Sequence, residues 1–98
     1  MLLKIHKSYR TVVAICDTDL IGKTFEQGKE IIEIKPHFFK GEEKTESEIL
    51  EAIEITSMED ATFNIVGKES VACALKSGII KQEGIKEING VPIALVLL

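Results

Sequence analysis

Apolar and polar residues alternate at the start of the chain in a way that predicts a β-hairpin. Residues 2–7 place Leu3 and Ile5 on one side and polar side chains on the other, the period of a strand with one buried face. Residues 11–16 are apolar and rich in β-branched side chains, which favours a second strand after a short loop. One helical turn is then expected over residues 17–22, because aspartates precede it and Gly22 follows it.

The middle of the chain predicts a third strand and a first helix. Residues 29–35 alternate again, and Pro36 ends the pattern. A polar loop over residues 37–44 follows. The helix begins at Thr45, because Thr45 and Glu48 have the spacing of a capping box ahead of apolar residues at helical period.

The last third of the chain predicts a strand, a second helix and a hairpin. Residues 61–66 form the strand, and Lys68–Ser77 form a helix that Gly78 terminates. Asn89 and Gly90 stand between two apolar runs, the strongest short-range signal for a tight hairpin. The run from Val91 to Leu98 is apolar at every position, which is typical of a strand covered on both faces.

The element order β-β-β-α-β-α-β-β defines the expected fold class. It is α+β, with a mixed five- to six-stranded sheet and two helices packed mainly on one face. The strand–helix–strand unit around Lys68–Ser77 requires a crossover, so part of the sheet is expected to be parallel. Ninety-eight residues are the size of one domain, so residues 1–98 are assigned to a single α/β domain.

Charge and cysteine content narrow the functional classes. The formal net charge is −4, unlike the basic footprint of most nucleic-acid binders. Residues 1–40 nevertheless carry net +2 and residues 41–98 net −6. Cys16 and Cys73 lie in apolar stretches and match no zinc spacing, so buried free thiols are expected. No run reaches the roughly 20 apolar residues of a membrane span, and the expected location is cytoplasmic.

Two glycine-containing segments are candidates for phosphate binding. Gly22, Lys23 and Thr24 end a segment that is similar to a phosphate-binding loop, but Asp17 stands where that loop needs its first glycine. Gly67 and Lys68 mark a strand-to-helix junction, whose free N–H groups attract anions. A capped turn and ordinary structural punctuation are the preferred interpretations of the two segments.

The sequence offers no convincing catalytic or metal centre. His6 and His37 lie far apart, and a metal site would require His6 to meet Asp17 and Asp19 across the hairpin. Cys73 lies in a helix without a basic activator except Lys76. We therefore assign no catalytic residue, no metal and no cofactor, and expect the protein not to be an enzyme.

Three separated blocks of sequence resemble a known family. They are residues 20–28, residues 64–80 with their Asn-Ile-Val-Gly and Gly-Ile-Ile motifs, and residues 88–92 with Gly90 before Val91-Pro92. Together they are similar to a small archaeal family, domain of unknown function 424. The resemblance implies a cytoplasmic mixed α/β protein and transfers no site residue. Phe38, Phe39 and the following Lys-Gly resemble an aromatic-then-glycine segment of that family.

These observations favour a non-catalytic module that binds a macromolecular partner or self-associates. The candidate contact residues are Gly22, Lys23, Thr24, Phe25, Phe38, Phe39, Gly67 and Lys68. Phe38 and Phe39 are expected to fill the end of the core, and would mark a contact surface if exposed.

Two further expectations concern partners. A homodimer through the strand from Val91 to Leu98 is one, because that strand has more apolar surface than two short helices cover. The alternative function is nucleotide or RNA binding, which the acidic net charge disfavours. It would use the helix start at Gly67 and Lys68 and a set of basic residues nearer the N-terminus. These are Lys4, Lys7, Arg10 and Lys23.

Overall fold

A computed structural model describes residues 1–97 and contains a six-stranded mixed sheet, a two-stranded sheet and three helices. The strands are β1 (Leu2–Lys7), β2 (Thr11–Cys16), β3 (Thr24–Gln27), β4 (Glu30–Glu33), β5 (Glu42–Glu43), β6 (Ala61–Val66), β7 (Lys86–Ile88) and β8 (Val91–Leu97). The helices are α1 (Pro36–Phe39), α2 (Glu46–Ser57) and α3 (Lys68–Ser77). This architecture confirms the expected α+β class.

The main sheet has the strand order β5-β1-β2-β6-β8-β7. Within residues 1–97, β2 and β6 are the one parallel pair of this sheet, and the other neighbouring strands are antiparallel. The crossover through α3 joins β6 to β7, which run in the same direction but are separated by β8. A parallel component is therefore present, although its adjacent pair is β2 and β6 rather than the strands that flank α3.

The first face of the sheet carries the larger core, covered by α2 and α3. Ile49 and Ile53 of α2 and Val71 of α3 pack against Phe63 and Ile65 of the sheet. Local sequence signals determine where α2 begins and where α3 ends. The capping box at Thr45 is formed, and α3 ends at Gly78 in the left-handed conformation that glycine adopts without strain.

The second face is covered only in part, by the β3–β4 hairpin and α1. Leu2, Ala14 and Cys16 of the sheet pack against Ile34 and Phe39 from this cover. The other end of the face is open, with Leu95 and Leu97 59% and 73% exposed. Coverage of the last strand on both faces is therefore wrong for this part of β8, because the cover stops short of it. Leu98 lies outside the described residues.

The segment between β2 and α2 differs most from the expectation. The third strand is β4, and it pairs with an unexpected β3 in a separate sheet instead of joining the main sheet. The expected polar loop over residues 37–44 contains the end of α1 and the short strand β5. Tertiary contacts explain β5: Gly41 lies so close to the Leu3 backbone that a Cβ would overlap the Leu3 carbonyl oxygen.

Candidate functional site

A shallow cleft lies where the parallel strands β2 and β6 end at the same edge of the sheet. Its volume is about 210 Å³. In open α/β sheets, ligands commonly bind beyond the carboxyl ends of parallel strands, and β2 and β6 are such a pair. The lining residues are Asp17, Asp19, Leu20, Gly67, Lys68, Gly90, Val91 and Pro92. We call this region the strand-end cleft.

Asp17 occupies the positive end of α3 beside this cleft. Its carboxylate is buried and accepts hydrogen bonds from the backbone N–H of Glu69 at 3.1 Å and of Ser70 at 2.8 Å. The Ser70 hydroxyl donates to it as well, at 2.8 Å. The donors that would attract a phosphate at a helix start are thus engaged by a side chain of this protein.

Gly67 makes the close approach of Asp17 to α3 geometrically feasible. Its φ of +111° lies in a region that side-chain-bearing residues rarely adopt, and a Cβ would overlap the Asp17 carboxylate. Lys68 is exposed at the rim of the cleft. The junction predicted as a candidate anion site is therefore an internal cap supplied by the end of β2. No local sequence signal links Asp17 to Ser70, because the two residues are 53 positions apart.

Gly22, Lys23 and Thr24 lie at the base of the β3–β4 hairpin. The Gly22 N–H donates to Ile34 O at 2.8 Å, and the Lys23 N–H donates to Leu20 O at 3.0 Å. Ile34 N–H returns a bond to Lys23 O at 2.9 Å. These bonds close the hairpin, so the main-chain donors of the segment do not curl around an anion as in a phosphate-binding loop.

Lys4, one of the basic residues near the N-terminus, and its neighbour His6 hold α1 in place. The Lys4 ammonium donates to His37 O at 2.6 Å, and His6 Nε2 lies 2.9 Å from Phe38 O. The His6 ring also stacks on Phe38 at a centroid distance of 4.9 Å. Basic side chains commonly bind the carbonyl groups at a helix end. The positions of Lys4 and His6 on one side of β1 are the signal that could have suggested this role.

The aromatic residues line a groove on the second face. Its volume is about 260 Å³, and it runs between α1, β4 and β8. Phe39 is buried, which confirms that it fills the core, whereas Phe38 is half-buried and packs at the border of the core. Phe25 packs against the same cluster from β3. The groove residues are Ile32, Glu33, Phe38, Phe39, Asn64, Ile65, Val66, Ile93, Ala94 and Leu95. We call it the second-face groove.

The open part of the second face continues from this groove along β6 and β8. Asn64 pairs with Leu95 and Thr62 with Leu97 in the sheet register, so these four side chains share one face. Thr62 and Asn64 are half-buried, whereas Leu95 and Leu97 are exposed. We call these four residues the open face.

Both thiols are unsuited to nucleophilic chemistry. Cys16 and Cys73 are free and buried, as the sequence predicted. Burial, reinforced by the neighbouring Asp17 carboxylate, raises the pKa of Cys16 to about 11. Burial and the Glu46 carboxylate also raise the pKa of Cys73. Both side chains are therefore neutral thiols near pH 7, and the thiolate is the reactive form.

Charged groups elsewhere pair with one another. A wide depression of about 530 Å³ beside α3 has Glu46 and Lys76 in its lining, and their side chains form an ion pair at 2.7 Å. Within residues 1–97, no three His, Cys, Asp or Glu side chains are placed to hold a metal ion. Nor does that part of the chain include a helix with the length and hydropathy needed to cross a membrane. The predicted contact residues thus lie at three places: the strand-end cleft, the hairpin base and the second-face groove.

Comparison with known proteins places this arrangement in a family. A crystal structure of an uncharacterized conserved protein from Methanopyrus kandleri is similar, with 26% sequence identity and a TM-score of 0.79 over 98% of this chain and 90% of that one. No curated protein matches the sequence. The family model "Protein of unknown function (DUF424)" matches residues 6–98. Since that match spans nearly the whole sequence, the chain belongs to the DUF424 family.

Proposed function

We propose that this protein is a non-catalytic module that binds another protein chain through the second-face groove and the open face. The carrying observation is the exposure of Leu95 and Leu97 beside the aromatic groove. Isolated apolar residues on a surface need no explanation, but contiguous apolar patches mark interaction sites. Here two exposed leucines of one strand continue directly into a groove lined by Phe38 and Ile93.

The acidic and basic side chains that could serve in catalysis are engaged in structural hydrogen bonds, which supports a binding role. Asp17 caps α3, and Lys4 and His6 hold α1. The same contacts weaken the RNA alternative, because the Lys4 side chain and the helix start that it would use are engaged within the fold. Binding to RNA needs several clustered phosphate contacts.

The proposal is tested by affinity capture from native cell extract with the wild-type protein and two variants. Leu95→Lys places a charge on the open face, whereas Ile55→Lys changes a residue of similar exposure, 55%, on α2. We expect a protein that wild type and Ile55→Lys retain equally and that Leu95→Lys retains at least tenfold less. Both variants must keep the wild-type circular dichroism spectrum.

A parallel capture after ribonuclease treatment separates protein from RNA partners. Retention that survives ribonuclease and depends on Leu95 supports the proposal. Retention that ribonuclease abolishes would support the RNA alternative instead. Equal retention by all three proteins would show that the open face is not the contact surface.

A further inference from the structure

The two outer strands of the main sheet are protected against pairing with other chains. β5 is two residues long and consists of Glu42 and Glu43. β7 is three residues long and carries Lys86 and Glu87. The β3–β4 hairpin leans on β7, where Glu30 forms an ion pair with Lys86. Short length, charge and a covering element are the usual protections of a sheet edge.

The second half of β8 lacks this protection. β7 pairs with β8 only as far as Ile93, whereas β6 accompanies β8 as far as Leu97. Within residues 1–97, no strand pairs with the outer side of β8 beyond Ile93. The stretch from Ile93 to Leu97 contains no charged residue, and Pro92 lies in the part that β7 already covers. An apolar edge of this kind is a template for strand addition.

The direction of the main-chain groups follows from one hydrogen bond. Pro92 O accepts from Gly67 N at 2.9 Å, so Pro92 directs its main-chain carbonyl toward the β6 side of β8. Because this direction alternates along a strand, the main-chain N–H and C=O groups of Ala94 and Val96 also point toward β6. Leu95 and Leu97 therefore direct their N–H and C=O groups to the outer edge. The same two residues expose their side chains on the open face.

We propose that a second copy of this chain adds to this edge, with the two β8 strands antiparallel about a two-fold axis at Val96. This inference rests on the proposed function and names its partner. Leu95 would then pair with Leu97 of the partner subunit, and the reverse pair would form by symmetry. In antiparallel pairing each such residue pair exchanges two main-chain hydrogen bonds.

This register is the one that the edge favours. Directly opposite residues in antiparallel strands share a face, so the leucines of both copies would form one apolar cluster across the axis. A two-fold axis at Leu95 would instead place Leu97 opposite Ile93 of the partner subunit, which β7 already covers. The axis at Val96 thus uses every free main-chain group of Leu95 and Leu97.

Charge and size also fit a second copy. No charged residue of β8 meets its own image at the axis, and the neighbouring segment, residues 81–87, carries two lysines and two glutamates. Local repulsion between identical flanks is therefore small. The contact itself is short, at the low end of protein interfaces, below about 1,200 Å² in total. We expect a reversible dimer with a micromolar dissociation constant.

Light scattering of the purified protein from about 1 to about 500 µM tests association over the micromolar range. We expect the mass to rise from monomer to dimer with concentration. Leu95→Lys should weaken the dimer at least tenfold, because two lysines would lie near the axis, and Ile55→Lys should leave it unchanged. A monomer mass throughout overturns the dimer. If the protein is a monomer but wild type captures a different protein that Leu95→Lys does not retain, the proposed function stands and only the dimer is overturned.

Disulfide trapping tests the register. At the axis the two Val96 Cα atoms would be about 4.5 Å apart, the spacing of a non-hydrogen-bonded pair, whereas Leu95 and its image would be diagonal, about 7–8 Å apart. Val96→Cys should therefore form a dimer under mild oxidation, and Leu95→Cys should not. Wild type, with its buried thiols, is the control. Cross-linking by Leu95→Cys alone would overturn the proposed axis.

Discussion

Replacing Asp17 with alanine should destabilise the protein by about 2–4 kcal/mol. The change removes the acceptor of three hydrogen bonds at a position only 6% exposed. The Ser70 N–H becomes a buried donor without its acceptor, which costs about 1–3 kcal/mol. The Glu69 N–H is only partly buried and can find water, so its loss adds about 1 kcal/mol or less. Asp17→Asn should cost less, because the amide keeps one acceptor oxygen.

Urea unfolding followed by circular dichroism gives the free energy of unfolding for each variant. For a chain of this size, the expected loss corresponds to a fall in Tm of roughly 10–30 °C. Asp19→Ala is the matched control, because Asp19 is exposed two positions away and makes none of these bonds. It should stay within about 0.5 kcal/mol of wild type. If Asp17→Ala unfolds with the same free energy as Asp19→Ala, the capping role assigned to Asp17 is wrong.

Three further measurements test other contacts. Hydrogen bonds from the N-terminal ammonium and from Thr18 lower the pKa of Glu43 below its ordinary 4.5, so the stability that Glu43 contributes is present above pH 4.5 and lost as the pH falls. In Glu43→Gln the free energy of unfolding should therefore decline less steeply below pH 4.5 than in wild type, and an unchanged slope would contradict this role. Thr45→Ala removes the capping-box acceptor and should cost about 1 kcal/mol in urea unfolding; a loss well below that would show the box to be unimportant. At pH 8, Cys16 in the folded protein should react with a thiol reagent at least about 100-fold more slowly than in the urea-unfolded protein, because burial raises its pKa from 9 to about 11. Equal rates in the two states would refute its burial.

Elements with strong local signals were predictable from the sequence. The bounds of β1, β2, β6 and α3 match the periodic segments, because alternation, flanking glycines and caps all act within a few residues. Asn89 and Gly90 both have positive φ, as the hairpin signal required. The segment between β2 and α2 was not predictable in the same way. β3 contains one apolar residue, Phe25, and therefore shows no period.

Short elements depend on neighbours that the sequence does not reveal. β5 is two glutamates and forms a strand only because β1 lies beside it. The helix α1 did carry a local signal, since Pro36 stands at its first turn, where proline is favoured. That signal competed with the use of Pro36 as the end of the preceding strand.

The candidate site was predictable in its residue types but not in its assembly. Phe38, Phe39, Gly67 and Lys68 were predicted as contact residues from their types and positions, and the structure places them in two separate regions. What joins Asp17 to α3 is the parallel pairing of β2 with β6, a contact between segments about 50 residues apart. The open edge of β8 also depends on topology, because it exists only where β7 ends before β6 does.

The closed base of the β3–β4 hairpin has a consequence for how the chain tolerates length changes. Gly22 and Lys23 are tied to Ile34 by two main-chain hydrogen bonds, so the entry and exit of the hairpin are fixed relative to each other. Gly28, at the tip, is exposed, and a Cβ there would meet no atom within 4 Å. Extra residues inserted between Gly28 and Lys29 would lengthen the turn while the hairpin base stays fixed, provided that Gln27 and Glu30 beside it keep their contacts with Asn89 and Lys86. The tip is therefore the place to attach a reporter or an added peptide.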